Sequence, residues 1–271
     1  MTDSQKQEEQ VSGAFSTQSA VFDELTNANA MEVEYRGMIR AHVEQFILPG
    51  EYMLELNCGT GLDAVFFAGK GLKVHATDNA PGMLEQLSYK VTSQALQNSI
   101  TYERCSFNQL SLVKNPVAQF DHVFSDYGGL NCAEDIASVI KQLDPYLKPG
   151  GMAHLVLIAP VCLWEWATLF KGKFRFAFRR LTKKGLRSHL EGHYFNTYYY
   201  SPASIRKAFG KKYTLMQLRS MGCFMPPTFN DYFPARHPRL FRLLKRTELA
   251  LNTTWPFNRT GDLFIISLKK K

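Results

Sequence analysis

Through Ile158 the apolar residues come in two kinds of group that take turns along the chain. One kind is a short run, and the other is a set with helical spacing. From Met31 to Phe46, Val33, Ile39, Val43 and Phe46 stand among polar residues, which predicts a helix that ends at Pro49-Gly50. Tyr52 to Leu56 predicts a first strand. A helix follows from near Gly61, contains Ala64-Val65-Phe66-Phe67-Ala68, and stops at Gly69-Lys70-Gly71. Lys73 to Thr77 predicts a second strand closed by Asp78. Pro81 opens a helix with Met83, Leu84 and Leu87, since proline is well tolerated in a first turn. Further strands are predicted at Ile100 to Cys105 and Phe120 to Ser125. A helix over Asp135 to Leu147 leads to Lys148-Pro149-Gly150-Gly151. The fifth strand, Met152 to Ile158, is almost continuously apolar, as a parallel strand covered on both faces should be. Strands and helices in alternation imply an α/β fold with a doubly wound, mostly parallel sheet.

Beyond Ile158 the rhythm breaks. Two more strands are predicted, Tyr213 to Leu218 and Asp262 to Leu268. Two insertions interrupt this end, at about 159–201 and 222–261, and are expected to form a substrate lid. Residues 1–20 are polar and are expected to be a flexible tail. Residues 21–271 then make one domain, a size that a single α/β unit with insertions fills. No apolar run is long enough to span a membrane, and no apolar leader core is visible. The odd number of widely spaced cysteines argues for reduced thiols and a cytoplasmic protein, with no metal-ligand pattern. Net charge is +8, and the eight basic residues between Lys171 and Arg187 equal that excess. The rest of the chain is near neutral, which weakens the case for a protein-wide nucleic-acid surface.

In a sheet of this kind ligands bind beyond the carboxyl ends of the strands. Gly59 and Gly61 fall there, after strand one, where a tight turn admits a ligand. The helix that starts near Gly61 offers free N–H groups. Asp78 ends strand two and can accept both hydroxyls of a ribose diol. A dinucleotide fingerprint would place further glycines here, but Asn57 stands at the first position and Asp63 in the first helical turn. Glu55 adds another negative charge. Acidic residues repel a pyrophosphate and suit a ligand with an ammonium and a sulfonium group, which disfavours a nicotinamide dehydrogenase.

These residues carry a family resemblance. Glu55-Leu56-Asn57-Cys58-Gly59-Thr60-Gly61 resembles the first motif of the class I S-adenosylmethionine (SAM)-dependent methyltransferases, and Ala76 to Leu84 resembles their second. Cys105 to Leu110, Phe120 to Ser125 and Leu147 to Gly151 are similar to three further motifs. Asn57 replaces the usual first glycine, and Ser106 the usual aspartate. The resemblance implies seven strands with the last entering antiparallel, N-terminal helices, and SAM as cofactor. It implies that Glu55, Asn57, Gly59 and Gly61 line the methionine and ribose end and that Asp78 binds the ribose. Asn79 and Met83 would flank the adenine, Ser106 and Phe107 would close its far edge, and Ser125 would face the methionine amino group. Arg36 is a candidate for the cofactor carboxylate.

The acceptor is less legible. Asp126-Tyr127-Gly128-Gly129 lacks the prolines that DNA amino-methyltransferases carry after strand four. On a helix over 170–181, Phe170, Phe174, Ala177, Phe178 and Leu181 would share one face, with Arg175, Arg179 and Arg180 on the other. Such a helix is a lid with solvated cations or a contact for an anionic surface such as a phospholipid layer, an acidic carrier protein or a nucleic acid. Tyr127, His189 and His193 are the candidate bases. Two apolar insertions point to a small, hydrophobic, lipid-like or carrier-bound acceptor. A non-catalytic module for an acidic partner and an RNA methyltransferase are the alternatives.

Overall fold

The computed structural model describes residues 3–114, 117–182 and 184–271. In chain order, α1 (Asp3–Ala28) and α2 (Ala30–Val43) precede β1 (Tyr52–Leu56), α3 (Leu62–Gly69), β2 (Lys73–Asp78), α4 (Pro81–Ser93) and β3 (Ile100–Arg104). Then come β4 (Phe120–Ser125), α5 (Ile136–Leu143), β5 (Leu147–Ile158), α6 (Leu163–Trp166), α7 (Phe174–Ala177), β6 (Leu186–Leu190) and β7 (His193–Thr197). The chain closes with α8 (Pro202–Phe209), β8 (Tyr213–Met221), α9 (Phe233–Arg236), α10 (Pro238–Leu251) and β9 (Leu263–Lys270).

Among the described residues, seven strands form one sheet in the order β3-β2-β1-β4-β5-β9-β8. The first five are parallel, and β9 runs antiparallel to both β5 and β8. Strand alternation divides the core. Met53, Val74, Phe124 and Val156 pack with α2, α3 and α4, while Leu54, Leu56, Val123 and Leu155 pack with α5 and α8. Glu55 therefore points to the α2–α3 side. There Arg36 and Asp63 are also buried.

The expected flexible tail is corrected. Met1 and Thr2 lie outside the described residues, but from Asp3 the chain is helical. Val11, Phe15 and Phe22 recur at helical spacing and turn into the cofactor-side cavity described below. The polar residues between them bond to the fold. Ser12 donates to the Asn79 carbonyl at 2.9 Å, and Gln7 donates to the Cys132 and Asn196 carbonyls at 2.8 and 3.1 Å. Asn29 ends this helix and caps the next, accepting from the N–H groups of Met31 and Glu32.

The single amphipathic helix expected over 170–181 is also corrected. Gly172 adopts a left-handed conformation, and the segment divides into two short 3-10 turns around α7. Its polarity is turned inside out. Phe170, Phe174, Phe178 and Leu181 are exposed, while Arg180 is buried and Arg179 half-buried. The cause is Glu165, a buried carboxylate that draws both arginines inward (Arg179 Nη2 at 2.6 Å, Arg180 Nη2 at 2.7 Å). Arg180 also bonds Asp262 at 2.7 Å. Lys183 of the basic segment lies outside the described residues.

Candidate active site

A cavity opens where β1, β2 and β4 end. Strand order reverses between β1 and β4, the switch point where doubly wound sheets bind ligands.

The loop after β1 is built around two residues. Asp78 Oδ2 accepts from the Gly59 N–H at 2.9 Å, and Oδ1 accepts from the Ala80 N–H at 2.8 Å. Burial pushes this carboxyl above the usual range, while the backbone donors favour its charged form. The two glycines differ in role. Gly59 lines the cavity. Gly61 does not, and a Cβ on it would lie 2.3 Å from Leu87 Cδ1, so glycine is needed where α3 meets α4. Asn57 stands where the resemblance expects glycine because its φ is +46°, a conformation asparagine tolerates. Its Nδ2 donates to the Asp126 carbonyl at 3.1 Å, and its Oδ1 accepts from Ser125 Oγ at 2.7 Å. The amide thus ties the loop after β1 to the loop after β4.

Beside this loop lies a buried ion cluster. Arg36 donates to Asp63 and, at 3.1 Å, to Asp126, and its guanidinium lies 4.7 Å from the Tyr127 ring centre. Arg40 donates to Asp63 Oδ1 at 2.7 Å. Burial pushes the Asp63 carboxyl up, but Arg36 and Arg40 outweigh it and hold the group below its ordinary value. Burial and the Asp63 charge drive Asp126 well above its ordinary value, and Glu55 rises by burial beside Asp63 and Asp126. Glu55 Oε2 and Arg36 Nε are buried without a hydrogen-bond partner among the described residues.

Asn57, Gly59, Asp78, Asn79, Met83, Ser106, Phe107 and Tyr127 come together on the cavity wall. Arg36, Glu55, Gly61 and Ser125 stand behind it. Ser106 Oγ accepts from the Asn108 N–H at 3.1 Å and so holds its own turn. Glu8, Val11, Ser12, Phe15 and Phe22 of the N-terminal helix complete the wall. Their apolar spacing was the available signal, masked by the serines, threonines and glutamines between.

A second, more open cavity lies at the ends of β4 and β5, under both insertions. Tyr127 belongs to both walls. Ile158, Leu186, Tyr199, Phe229 and Leu263 line the second cavity beside Arg179, Arg180, Arg187, Ser188, His189 and Asp262, so its wall is mixed, apolar on one part and charged or polar on another. Of the three candidate bases, His189 alone keeps an accessible imidazole in this cavity. Tyr127 has φ +46° and donates its hydroxyl to the Glu32 carbonyl at 2.9 Å. Burial, with Asp126 next, pushes that hydroxyl well above its ordinary pKa, so it walls the site and is poorly disposed to accept a proton. His193 lines neither cavity and bonds Gln10 at 3.2 Å on the N-terminal helix.

A parallel doubly wound sheet with an antiparallel strand beside β5, a strand-end acid and a glycine turn defines the seven-stranded nucleoside-cofactor class. Comparison with known proteins narrows it. Residues 53–151 match the model of a methyltransferase domain. Over 131 residues the chain is 31% identical to a ribosomal protein arginine N-methyltransferase of Schizosaccharomyces pombe, covering 47% of this chain and 23% of that protein. It is 30% identical over 117 residues to a malonyl-[acyl-carrier protein] O-methyltransferase of Serratia marcescens, covering 43% and 42%. The match spans less than half of either relative. A SAM-dependent methyltransferase structure from Mesorhizobium loti superposes with a TM-score of 0.54 at 15% identity, over 86% of this chain and 96% of that one. Residues 53–151 are thus similar to a methyltransferase domain, and the fold is shared with the class I SAM-dependent methyltransferase family.

The residues present fit that family's cofactor. A carboxylate preset by two N–H groups suits a ribose diol, and Ala80, Met83, Cys105 and Phe107 offer an apolar slot for a planar base. Asp126 and the unpartnered Glu55 oxygen lie toward the end that would take an amino-acid arm.

Proposed function

We propose that the protein transfers a methyl group from SAM to a small acceptor with an apolar body held in the second cavity. One observation carries this reading: Tyr127, on the switch-point loop, walls both cavities and so marks where donor and acceptor would meet. Bound SAM supplies a methyl group already activated on a sulfonium. What is asked of the chain is to position two molecules and exclude water. Asp78 would hold the ribose, Met83 and Phe107 the adenine, and the N-terminal helix would cover the cavity. The Arg36–Asp63–Asp126 cluster would keep the loop after β4 in place as a positioning element. Arg36 Nη1 is taken up by carboxylates of the chain, which leaves the unpartnered Nε among its donors toward a ligand. His189, edging the second cavity, would accept the proton of a hydroxyl acceptor.

The apolar residues of that mixed wall, Ile158, Leu186, Phe229 and Leu263, favour a hydrophobic or acyl acceptor over a protein side chain. That preference agrees with the malonyl-carrier relative more than with the arginine-modifying one. Titration calorimetry with SAM tests the donor half. The acceptor half is tested by incubating the protein with methyl-labelled SAM and three substrate sets: hydrophobic small molecules and acyl thioesters, bulk RNA, and total protein. Label in the first set alone is expected. Label in RNA or protein with none in small molecules would overturn the acceptor class, and absence of SAM binding would overturn the whole reading.

A further inference from the structure

The outward rings of the first insertion line neither cavity. Phe170 is 96% exposed and Phe174 is 64% exposed, with Phe178 and Leu181 also outward. Lys171, Lys173 and Arg175 are interleaved with them, and no acidic residue occurs between Glu165 and Glu191. The lobe continues into the second insertion through a ladder of rings. Trp164 meets Phe233 at 6.0 Å, and Phe233 meets His237 at 5.1 Å, directly before α10. That helix exposes Arg239, Leu240, Arg242, Leu243 and Arg246.

We propose that this lobe docks the protein on an anionic membrane surface. No helix among the described residues is long and apolar enough to cross a membrane, so the contact is peripheral. Three features favour a lipid layer. A ring as exposed as Phe170 stands clear of the protein, and a fluid surface can close around it where a rigid partner would need a matching pocket. Two guanidiniums of the basic segment, Arg179 and Arg180, are turned inward onto Glu165 and Asp262 and so are withdrawn from a nucleic-acid backbone. The outward charges, Lys171, Lys173 and Arg175 beside the rings and Arg239, Arg242 and Arg246 on α10, sit on long apolar stems that reach phosphates while neighbouring rings sit at headgroup depth. The proposal stands apart from methyl transfer. The two readings join in one respect only: Arg179, Arg180 and Phe229 edge the second cavity, so docking would bring its mouth toward the lipid.

The test is flotation of the full chain with phosphatidylcholine vesicles, with and without about a quarter phosphatidylglycerol. Binding to the anionic vesicles alone is expected, falling about tenfold as salt rises from about 0.05 to 0.5 M. The double variant Phe170→Ser, Phe174→Ser should weaken vesicle binding about tenfold or more. Its SAM affinity and circular dichroism should match the parent, which separates loss of docking from loss of fold. Failure to float with anionic vesicles overturns the proposal. So does equal flotation of the variant, or displacement of the protein from vesicles by short single-stranded RNA at equimolar charge.

Discussion

A chain of buried histidines crosses the sheet and makes an acid-sensitive prediction. His42 Nε2 lies 2.7 Å from Ser267 Oγ, and Ser267 Oγ lies 2.7 Å from His154 Nδ1. His154 Nε2 lies 3.2 Å from His122 Nδ1, and His122 Nε2 lies 2.9 Å from Glu51 Oε2. An ionised Glu51 can only accept, so His122 donates through Nε2 and accepts at Nδ1. Each donor is then fixed in turn: His154 Nε2–H to His122, Ser267 O–H to His154, His42 Nε2–H to Ser267. The atom left over is His42 Nδ1, a bare lone pair, and it is the one ring nitrogen in the chain that is buried without a partner. Every other nitrogen and the Ser267 hydroxyl are thus partnered with His42 and His154 neutral. Burial, helped by Arg219, lowers His42 to about 3, and burial beside His122 and His42 lowers His154 well below its ordinary value. The unfolded chain binds the proton near pH 6.5, so stability is full above that pH and is lost as pH falls toward the folded value. For His42 the loss between pH 6.5 and 5 is about 2 kcal/mol, at about 1.4 kcal/mol per pH unit. Carboxyls raised by burial, such as Glu55 and Asp126, act in the opposite sense, so the parent curve alone mixes the two. His42→Leu isolates the term. It removes the chain's last donor while Ser267 still donates to His154, at a cost of about 1 kcal/mol at neutral pH. Urea denaturation at about pH 7.5 and 5 should show the variant gaining about 2 kcal/mol relative to the parent on acidification. Parallel pH dependence in the two proteins would refute the assignment of neutral imidazoles.

Three further outcomes follow from the site. Asp78→Ala removes hydrogen bonds to a charged acceptor, each worth about 1.5–3 kcal/mol, so SAM affinity by calorimetry should fall about a hundredfold or more. An unchanged affinity would remove Asp78 from the ribose site. Arg36→Met leaves Asp126 without its cation and Asp63 with Arg40 alone, and should cost about 3 kcal/mol or more in chemical denaturation. Gly129→Ala puts a Cβ 2.4 Å from Asn57 Nδ2 and should cost roughly 1–3 kcal/mol; adding Asn57→Gly should recover most of it, which a double-mutant cycle measures.

The parts of the fold legible in the sequence are those where one physical demand dominates. β5 reads as a strand because both its faces are covered, and β1 to α3 reads as a turn because glycines break an apolar run. The helix over 135–147 was drawn too long because Leu143 and Leu147 keep helical spacing, yet Pro145 stops it and Leu147 already pairs in the sheet. The first part of the N-terminal helix, before Val21, reads as a tail because few of its residues are apolar. The hold of the whole helix on the fold comes from Gln7, Ser12 and Asp23, whose partners are distant in sequence. The helix over 170–181 failed for the converse reason. Its pattern is amphipathic, but a local pattern cannot register that Glu165 and Asp262 are buried nearby and require guanidiniums. Long-range ion pairing thus overrode periodicity and exposed the rings on which the membrane proposal rests.

The same logic changes how Asn57 is understood. Taken alone, it is a missing glycine in a motif that needs one. In the structure it keeps the left-handed backbone that glycine would supply, and it adds an amide that bridges Ser125 Oγ and the Asp126 carbonyl. The room for that amide comes from Gly129, where any side chain would strike it. The glycine has in effect moved from one side of the switch point to the other. Asn57, Ser125 and Gly129 then form a single unit that fixes the two loops to each other on the floor of the cofactor cavity. A departure from the motif at one position is balanced by a small residue at another, which comparison of the motif by itself does not reveal.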